Sequence, residues 1–241
     1  MNKFASAWPW CGAVIAAILL ILLFGTRLFL PAGGGGRSRW HDIGWLAVLG
    51  VPVYMLHQIE EHGIDFTGAH YAFRGALCAT LGFSEVAACP IPYSFITAVN
   101  VGSVWGATVI AALAGRRRPL LALSAFGIPF VNALAHIADA IRHTTYNPGL
   151  VTAVVLLLPV SAWALQTGVR SGLITGRGAV AIVLGGVVMH VVLMGSLLAY
   201  IVGAINATVL VLVQLLNTFV PAAAVALAAR ADWGAPNRAV P

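Results

Sequence analysis

The sequence predicts an all-α protein, a polytopic bundle of seven membrane-spanning helices, and three observations carry that prediction. Hydrophobic residues make up 60% of the 241 and charged residues only 8%, against about 25% charged in a soluble domain. The apolar residues fall in long runs, and a run of about 18 or more is long enough to cross a bilayer. Arginines gather in short segments between those runs, as loops that orient spans do. Mean hydropathy is +0.94. A large water-facing surface is excluded, and the whole chain, 1–241, reads as one transmembrane domain.

The expected spans follow in order. The first covers 10–30 and is broken late by Arg27. It is read as a retained helix, because it is long for a signal peptide and no A-x-A pattern follows before the glycines at 33–36. The second covers 43–62, the third 93–114, the fourth 120–141, the fifth 150–167, the sixth 179–201 and the seventh 204–229. Each approaches the length of about 20 residues that a crossing needs.

Arg37 and Arg39, Arg116, Arg117 and Arg118, Arg170 and Arg177, and Arg230 and Arg238 all fall on one side of such a bundle; Lys3, Arg74 and Arg142 oppose them. The positive-inside rule then puts the N-terminus outside, the C-terminus and the 230–241 tail in the cytoplasm, and the 63–92 loop outside. The net charge of +6 and pI near 9.8 thus reflect topology, and no nucleic-acid partner is expected. Lys3 is the single lysine, which excludes a retinal Schiff base within the membrane. Cys11 lies in the first span, whereas Cys78 and Cys89 share the outer loop and are able to pair if that loop is extracytoplasmic.

Ionisable residues inside spans cost about 2.5–3.5 kcal/mol each on insertion scales and mark functional positions. The second span ends in HQIEEH (His57, Gln58, Ile59, Glu60, Glu61, His62) and the fourth in NALAHIADAIRH. His57, Glu60 and Glu61 stand at i, i+3 and i+4 and share a helix face. Asn132, His136, Asp139 and His143 stand at i, i+4, i+7 and i+11, a stripe at helical period. His62 turns away from His57 and is the weaker candidate. Imidazole with carboxylate is the donor set of zinc, iron or manganese, and paired Glu and His on facing bundle helices build di-iron sites. The expected metal ligands are His57, Glu60, Glu61, His136, Asp139 and His143. Neither H-E-x-x-H nor H-x-x-E-H is present.

Other residues leave two readings open. His190 joins the cluster from below or packs through a hydrogen bond, and Tyr54 is a proton donor or bundle filling. Asn206, Gln214 and Asn217 read as interhelical glue, and Gly185, Gly186 and Gly195 as close-packing positions. The 63–92 loop is too long and apolar for a bare linker, so a short helix lying over the site is expected, with Arg74 facing an anionic substrate or a lipid head group. HTTYNPG at 143–149 reads as a turn, with Tyr146 near His143.

HQIEE, NALAH and YNPG resemble, in the same order, the three motifs H-x-x-E-E, N-A-x-x-H and Y-x-P-G of the HXXEE family of bacterial integral membrane proteins. The resemblance covers about residues 43–150. It implies His57, Glu60, Glu61, Asn132, His136, Tyr146, Pro148 and Gly149 as marked positions, and a multi-pass protein of the bacterial cell membrane. In the family a Cys often precedes the turn motif; here His143 and Thr144 occupy that stretch, which implies an additional imidazole in place of a thiolate.

The expected function is that of a membrane metalloenzyme, binding one or two zinc or iron ions and acting on a lipid-like or small apolar substrate near the outer leaflet. Glu60, Glu61, Asn132 and Tyr146 are the expected catalytic residues, one of the glutamates serving as general base. Zinc would imply hydrolysis and iron oxidation. The rivals are a proton- or metal-coupled transporter using the same cluster, and a metal-free isomerase or cyclase.

Overall fold

A computed structural model describes residues 3–29 and 38–230. Arg37, the glycines at 33–36 and the tail beyond 230 lie outside the described residues. The described chain is helical, with a lone β-bridge between Ile64 and His70. In order, the helices are α1 (Lys3–Gly25), α2 (Ile43–His62), α3 (Phe73–Thr80), α4 (Tyr93–Ala114), α5 (Pro119–His143), α6 (Leu150–Arg170), α7 (Gly176–Ile201), α8 (Ala207–Asn217) and α9 (Val220–Arg230). Among the described residues, six helices are long and apolar enough to cross a membrane, or seven if α8 and α9 count as one span. By length and composition this is a multi-pass membrane protein.

Two of the expected spans change most, the others by three residues or fewer at either end. The first helix starts at Lys3 and stops at Gly25, earlier at both ends, because Ala5 and Trp8 are buried against the bundle. The seventh span is broken: α8 and α9 meet at 46°. Pro221 explains the break, since proline has no N–H for the carbonyl of Asn217 four residues back.

α2 is the axial helix. Of its most apolar window 78% is buried, against 28% for α1, so α1 faces lipid while α2 is surrounded by protein. Asp42 starts α2 by accepting from the Trp45 amide at 2.6 Å, and Thr175 and Asn206 start α7 and α8 in the same way. Asn206 is therefore a helix cap and not the interhelical contact expected of it. Gln214 and Asn217 do bridge helices, donating to Ser196 Oγ at 2.7 Å and to the Met189 carbonyl at 2.9 Å.

Trp45, Leu46, Leu123, Phe126, Leu157 and Ile182 belong to one apolar cluster, at the end of α2 remote from His62. A second cluster joins Cys78, Cys89, Ile91 and Phe95 to Leu197 and Leu210 and seats α3 against α7 and α8. Cys78 and Cys89 form a disulfide. At Gly127 and Gly186 the backbones of α5 and α7 touch: a Cβ on either would run into a carbonyl of the other helix. Gly185 likewise meets Ala224 of α9, with a Cβ 2.9 Å away, whereas Gly195 has nothing within 4 Å and is no packing position.

The i→i+4 ladder is locally widened to π-helix at Ala98–Trp105 in α4 and Ala153–Leu157 in α6. Such widenings are frequent at functional sites, and the first carries Asn100 and Ser103 while the second follows Thr152 directly.

Candidate functional site

Glu61 is the centre of the site. Its Oε2 lies 3.5 Å from His57 Nε2 and its Oε1 lies 3.6 Å from His136 Nε2. The two imidazoles meet edge to face with centroids 5.0 Å apart. α2 supplies His57 and Glu61 one turn apart, and α5 supplies His136 from across the interface. His57 is wholly buried, and Glu61 and His136 nearly so.

Each imidazole is oriented from behind. Thr152 Oγ1 lies 3.0 Å from His57 Nδ1 and spends its own proton on Glu60 Oε2, so it accepts from the His57 Nδ1–H. Asn147 Nδ2 donates to the His136 carbonyl at 3.0 Å, which leaves its Oδ1 to accept from His136 Nδ1–H at 2.6 Å. With both Nδ1 positions protonated, both Nε2 atoms face the Glu61 carboxylate. The neutral His136 imidazole would then aim its lone pair at the carboxylate, while that of His57 accepts from Asn132 Nδ2–H; a cation between the imidazoles and Glu61 relieves the repulsion. A histidine whose far nitrogen donates to an oxygen is also the usual posture of a metal ligand.

The separations leave room for a metal, with Glu61 offering one oxygen to each imidazole at 3.5 and 3.6 Å. One donor atom from each of His57, Glu61 and His136 falls within 4.8 Å of the others.

Glu60 has a different task from the one expected. Its carboxylate accepts from the Tyr146 hydroxyl at 2.8 Å, the Val151 amide at 3.1 Å, the Thr152 amide at 2.7 Å and the Thr152 hydroxyl. Four donors occupy its lone-pair positions, and the two amides belong to the N-terminus of α6, where a carboxylate is favoured. Glu60 is thus an anchor that holds α6 and, through Thr152, sets His57. Tyr146 is part of the same anchor, since its oxygen also accepts from the Phe66 amide at 3.1 Å. Burial, and then Glu60 beside it, push the Tyr146 phenol above its ordinary value.

Gly149 closes the site from the turn. It adopts φ +97°, and a Cβ there would come 2.8 Å from His136 Cε1 and 2.9 Å from His57 Cε1. Only glycine gives both this backbone and this approach. Asn132 Nδ2 lies 3.0 Å from His57 Nε2 and 3.1 Å from the Tyr54 hydroxyl.

The family described as "Protein of unknown function with HXXEE motif" has a sequence model that matches residues 48–164. That segment belongs to the HXXEE-motif family. No curated protein and no solved structure matches the chain.

The HXXEE motif thus divides its labour: its histidine and second glutamate face the cluster, and its first glutamate faces away to α6. The NALAH histidine completes the cluster, and the YNPG turn supplies Tyr146 to the anchor, Asn147 to His136 and Gly149 to the close approach. Asp139 and His143, expected as ligands, pair with each other at 3.6 Å instead, with side chains 35% and 45% exposed. α5 outruns α2, so His143 stands two turns, about 10 Å, past His136 along the axis.

His62, which helix geometry turns away from His57, nonetheless brings Nε2 to 3.2 Å from Glu61 Oε2. The pair is within ionic reach but off line for a hydrogen bond, and its ring packs on Phe73 of α3 at 4.5 Å. Thr152, Asn147 and Gln58 were not marked by the sequence reading. Gln58 donates to Asn100 Oδ1 at 2.9 Å and accepts from Trp105, which ties α2 to the π-helical part of α4.

Beside the cluster opens a cavity of about 330 Å³ that Glu61, His136 and Asn132 share with Ile96, Val104 and Met189, within the usual size range of small-molecule sites. α3 covers it through Phe73, Ala76 and Leu77, the short covering helix anticipated for this loop. His190 lines the cavity and donates Nδ1–H to the Gly186 carbonyl at 2.8 Å. Arg74 has another role than meeting an anion: its guanidinium donates to the carbonyls of Ile91, Val86 and Cys89 and lies 5.0 Å over the Tyr93 ring. Those bonds fold the chain between α3 and α4 back on itself.

Proposed function

We propose that this HXXEE-family chain is a membrane-embedded, metal-dependent enzyme. It would bind one divalent cation between His57, Glu61 and His136, and act on a small apolar or lipid-like molecule in the adjoining cavity. The observation that carries the reading is the convergence of two Nε2 atoms on one buried carboxylate while each Nδ1–H is held by an oxygen behind it. The apolar lining and cover of the cavity support an apolar substrate.

Two imidazoles and a carboxylate serve both zinc hydrolases and non-haem iron oxygenases, and the bound ion would act as a Lewis acid or a redox centre accordingly. The chain's own residues hold the site for it: Thr152 and Asn147 fix the imidazoles, Glu60 holds α6 and with it Thr152, and Asn132 places an amide beside His57. From the arginine distribution, we place this end of the bundle toward the outside of a cell membrane.

Elemental analysis of protein purified gently and without chelators tests the reading. One equivalent of zinc or iron in the wild type, lost in His57→Ala and His136→Ala, is the expected result. A wild type free of stoichiometric metal would sink it. Metal-dependent uptake into proteoliposomes without turnover of any substrate would favour a transporter using the same cluster.

A further inference from the structure

The cavity has a second polar group, made by residues that the metal cluster does not use. Ser103 of α4 and Gln214 of α8 are fully buried and Asn217 of α8 is 2% exposed. All three line the cavity. Ser103 Oγ, Gln214 Oε1 and Asn217 Oδ1 have no hydrogen-bond partner among the described residues. A buried polar atom left in this state costs about 1–3 kcal/mol, and three around one space are not incidental packing.

The chemistry of this group is fixed by its neighbours. Asn217 Nδ2 donates to the Met189 carbonyl, which accepts only, so the remaining atom of that amide is the oxygen. Ser196 Oγ gives its own proton to the Leu193 carbonyl at 3.0 Å and therefore accepts from Gln214 Nε2, leaving Gln214 Oε1 as the other free atom. Two carbonyl-type acceptors and one hydroxyl are thus left unpaired on residues that line the cavity. An anion would meet two amide oxygens against one hydroxyl, and a plain hydrocarbon would leave the group unpaired.

We infer that the cavity takes an amphiphile with a hydrogen-bond donor at one end, an alcohol or an amine, and that Ser103, Gln214 and Asn217 hold that end. Its apolar part lies along Ile96, Val104, Ile128, Met189 and Leu193, which leaves another part of the molecule at Glu61 and His136. The inference rests on reading the cavity as the substrate's site, and it names the substrate's class.

Two isomers of equal size test it. In purified protein, 1-octanol and 1-methoxyheptane differ in that only the first donates a hydrogen bond. Apparent affinities come from the rise in unfolding temperature across a concentration series. The alcohol is expected to bind the wild type about tenfold more tightly, the worth of one buried hydrogen bond. Asn217→Leu is expected to abolish the preference. Because that variant also loses the Met189 bond and can fail to fold, Ser103→Ala, which loses no bond in the structure, and Gln214→Met serve beside it, and each is expected to reduce the preference at least threefold. Equal affinity of the two isomers for the wild type, or a preference untouched by Ser103→Ala and Gln214→Met, overturns the inference and leaves water as the partner of these atoms. Metal content measured on the same samples separates the two readings. Bound metal without isomer preference defeats only this inference, and isomer preference without metal defeats only the metal reading.

Discussion

Replacing Thr152 by Val deletes one hydroxyl and changes side-chain volume little. In the folded protein that hydroxyl is 3.0 Å from His57 Nδ1 and bonded to Glu60 Oε2. Glu60 would keep three donors, from Tyr146 and the Val151 and Thr152 amides. His57 would keep none behind it, and an N–H without an acceptor at a wholly buried residue costs about 1–3 kcal/mol. Part of this appears as lost stability and part as freedom of the ring to rotate, which misdirects Nε2. Losing an outer partner of a metal-bound histidine lowers affinity about 10–100-fold, or about 1.4–2.8 kcal/mol at 1.4 kcal/mol per decade. The assay is competition of purified protein with a chelator of known zinc affinity, with Thr152→Ser as the hydroxyl-bearing control. Thr152→Val protein that holds zinc as tightly as wild type would refute the claim that Thr152 positions His57. An equal loss in Thr152→Ser would refute the claim that the hydroxyl is the cause.

Three further outcomes follow from the geometry. Gly149→Ala forces a Cβ against both imidazoles at φ +97°, and the backbone strain alone is about 1–2 kcal/mol; metal binding is expected to fall at least tenfold, while Gly195→Ala, with nothing within 4 Å, leaves binding unchanged in the same titration. Tyr146→Phe removes a donor from Glu60 and the acceptor of the Phe66 amide, lowering stability by about 1–2 kcal/mol; in the wild type, difference absorbance is expected to show the variant-sensitive phenol still protonated at pH 10, because burial and Glu60 raise it. At Asp65 burial works upward but is outweighed by bonds from Thr67, Ala69 and Gly68, which hold the carboxyl below its ordinary value. A depressed folded value stabilises above the unfolded one, about 3.9, and that stabilisation fades as pH falls from there through the lower folded value; the gap in unfolding temperature between wild type and Asp65→Asn is expected to narrow steadily as pH falls below about 3.9.

The spans were legible because lipid demands long apolar runs, and the cluster was legible because His57, Glu61 and His136 violate that demand at one depth. Two features escaped for physical reasons. Helical periodicity put Asp139 and His143 on the same stripe as His136, but periodicity carries no information on where the neighbouring helix stops, and α2 ends at His62. Glu60 and Glu61 are adjacent and chemically alike; what separates them is the α6 N-terminus, which the chain brings to Glu60 from some 90 residues away. Thr152 and Asn147 had no sequence signal beyond their place at the start of a span and in a turn. The π-helical stretches at Ala98–Trp105 and Ala153–Leu157 likewise leave no mark in a pattern of apolar residues. Arg74 looked like an anion binder because a lone charge in an apolar loop invites that reading, and only the fold shows three carbonyls already turned toward it.

The contact of α5 with α7 at Gly127 and Gly186 has a consequence for traffic. Two helices whose backbones touch do not part without losing that contact, so the wall bearing His136 and the wall bearing Met189 move as one body. A molecule wider than the resting aperture must be admitted elsewhere. α3 also covers the chamber, through Phe73, Ala76 and Leu77. Its hinge is short, pinned at one end by Cys78–Cys89 and braced by Arg74. Reduction of Cys78–Cys89 is therefore expected to loosen this eight-residue cover while leaving His57, Glu61 and His136 in place.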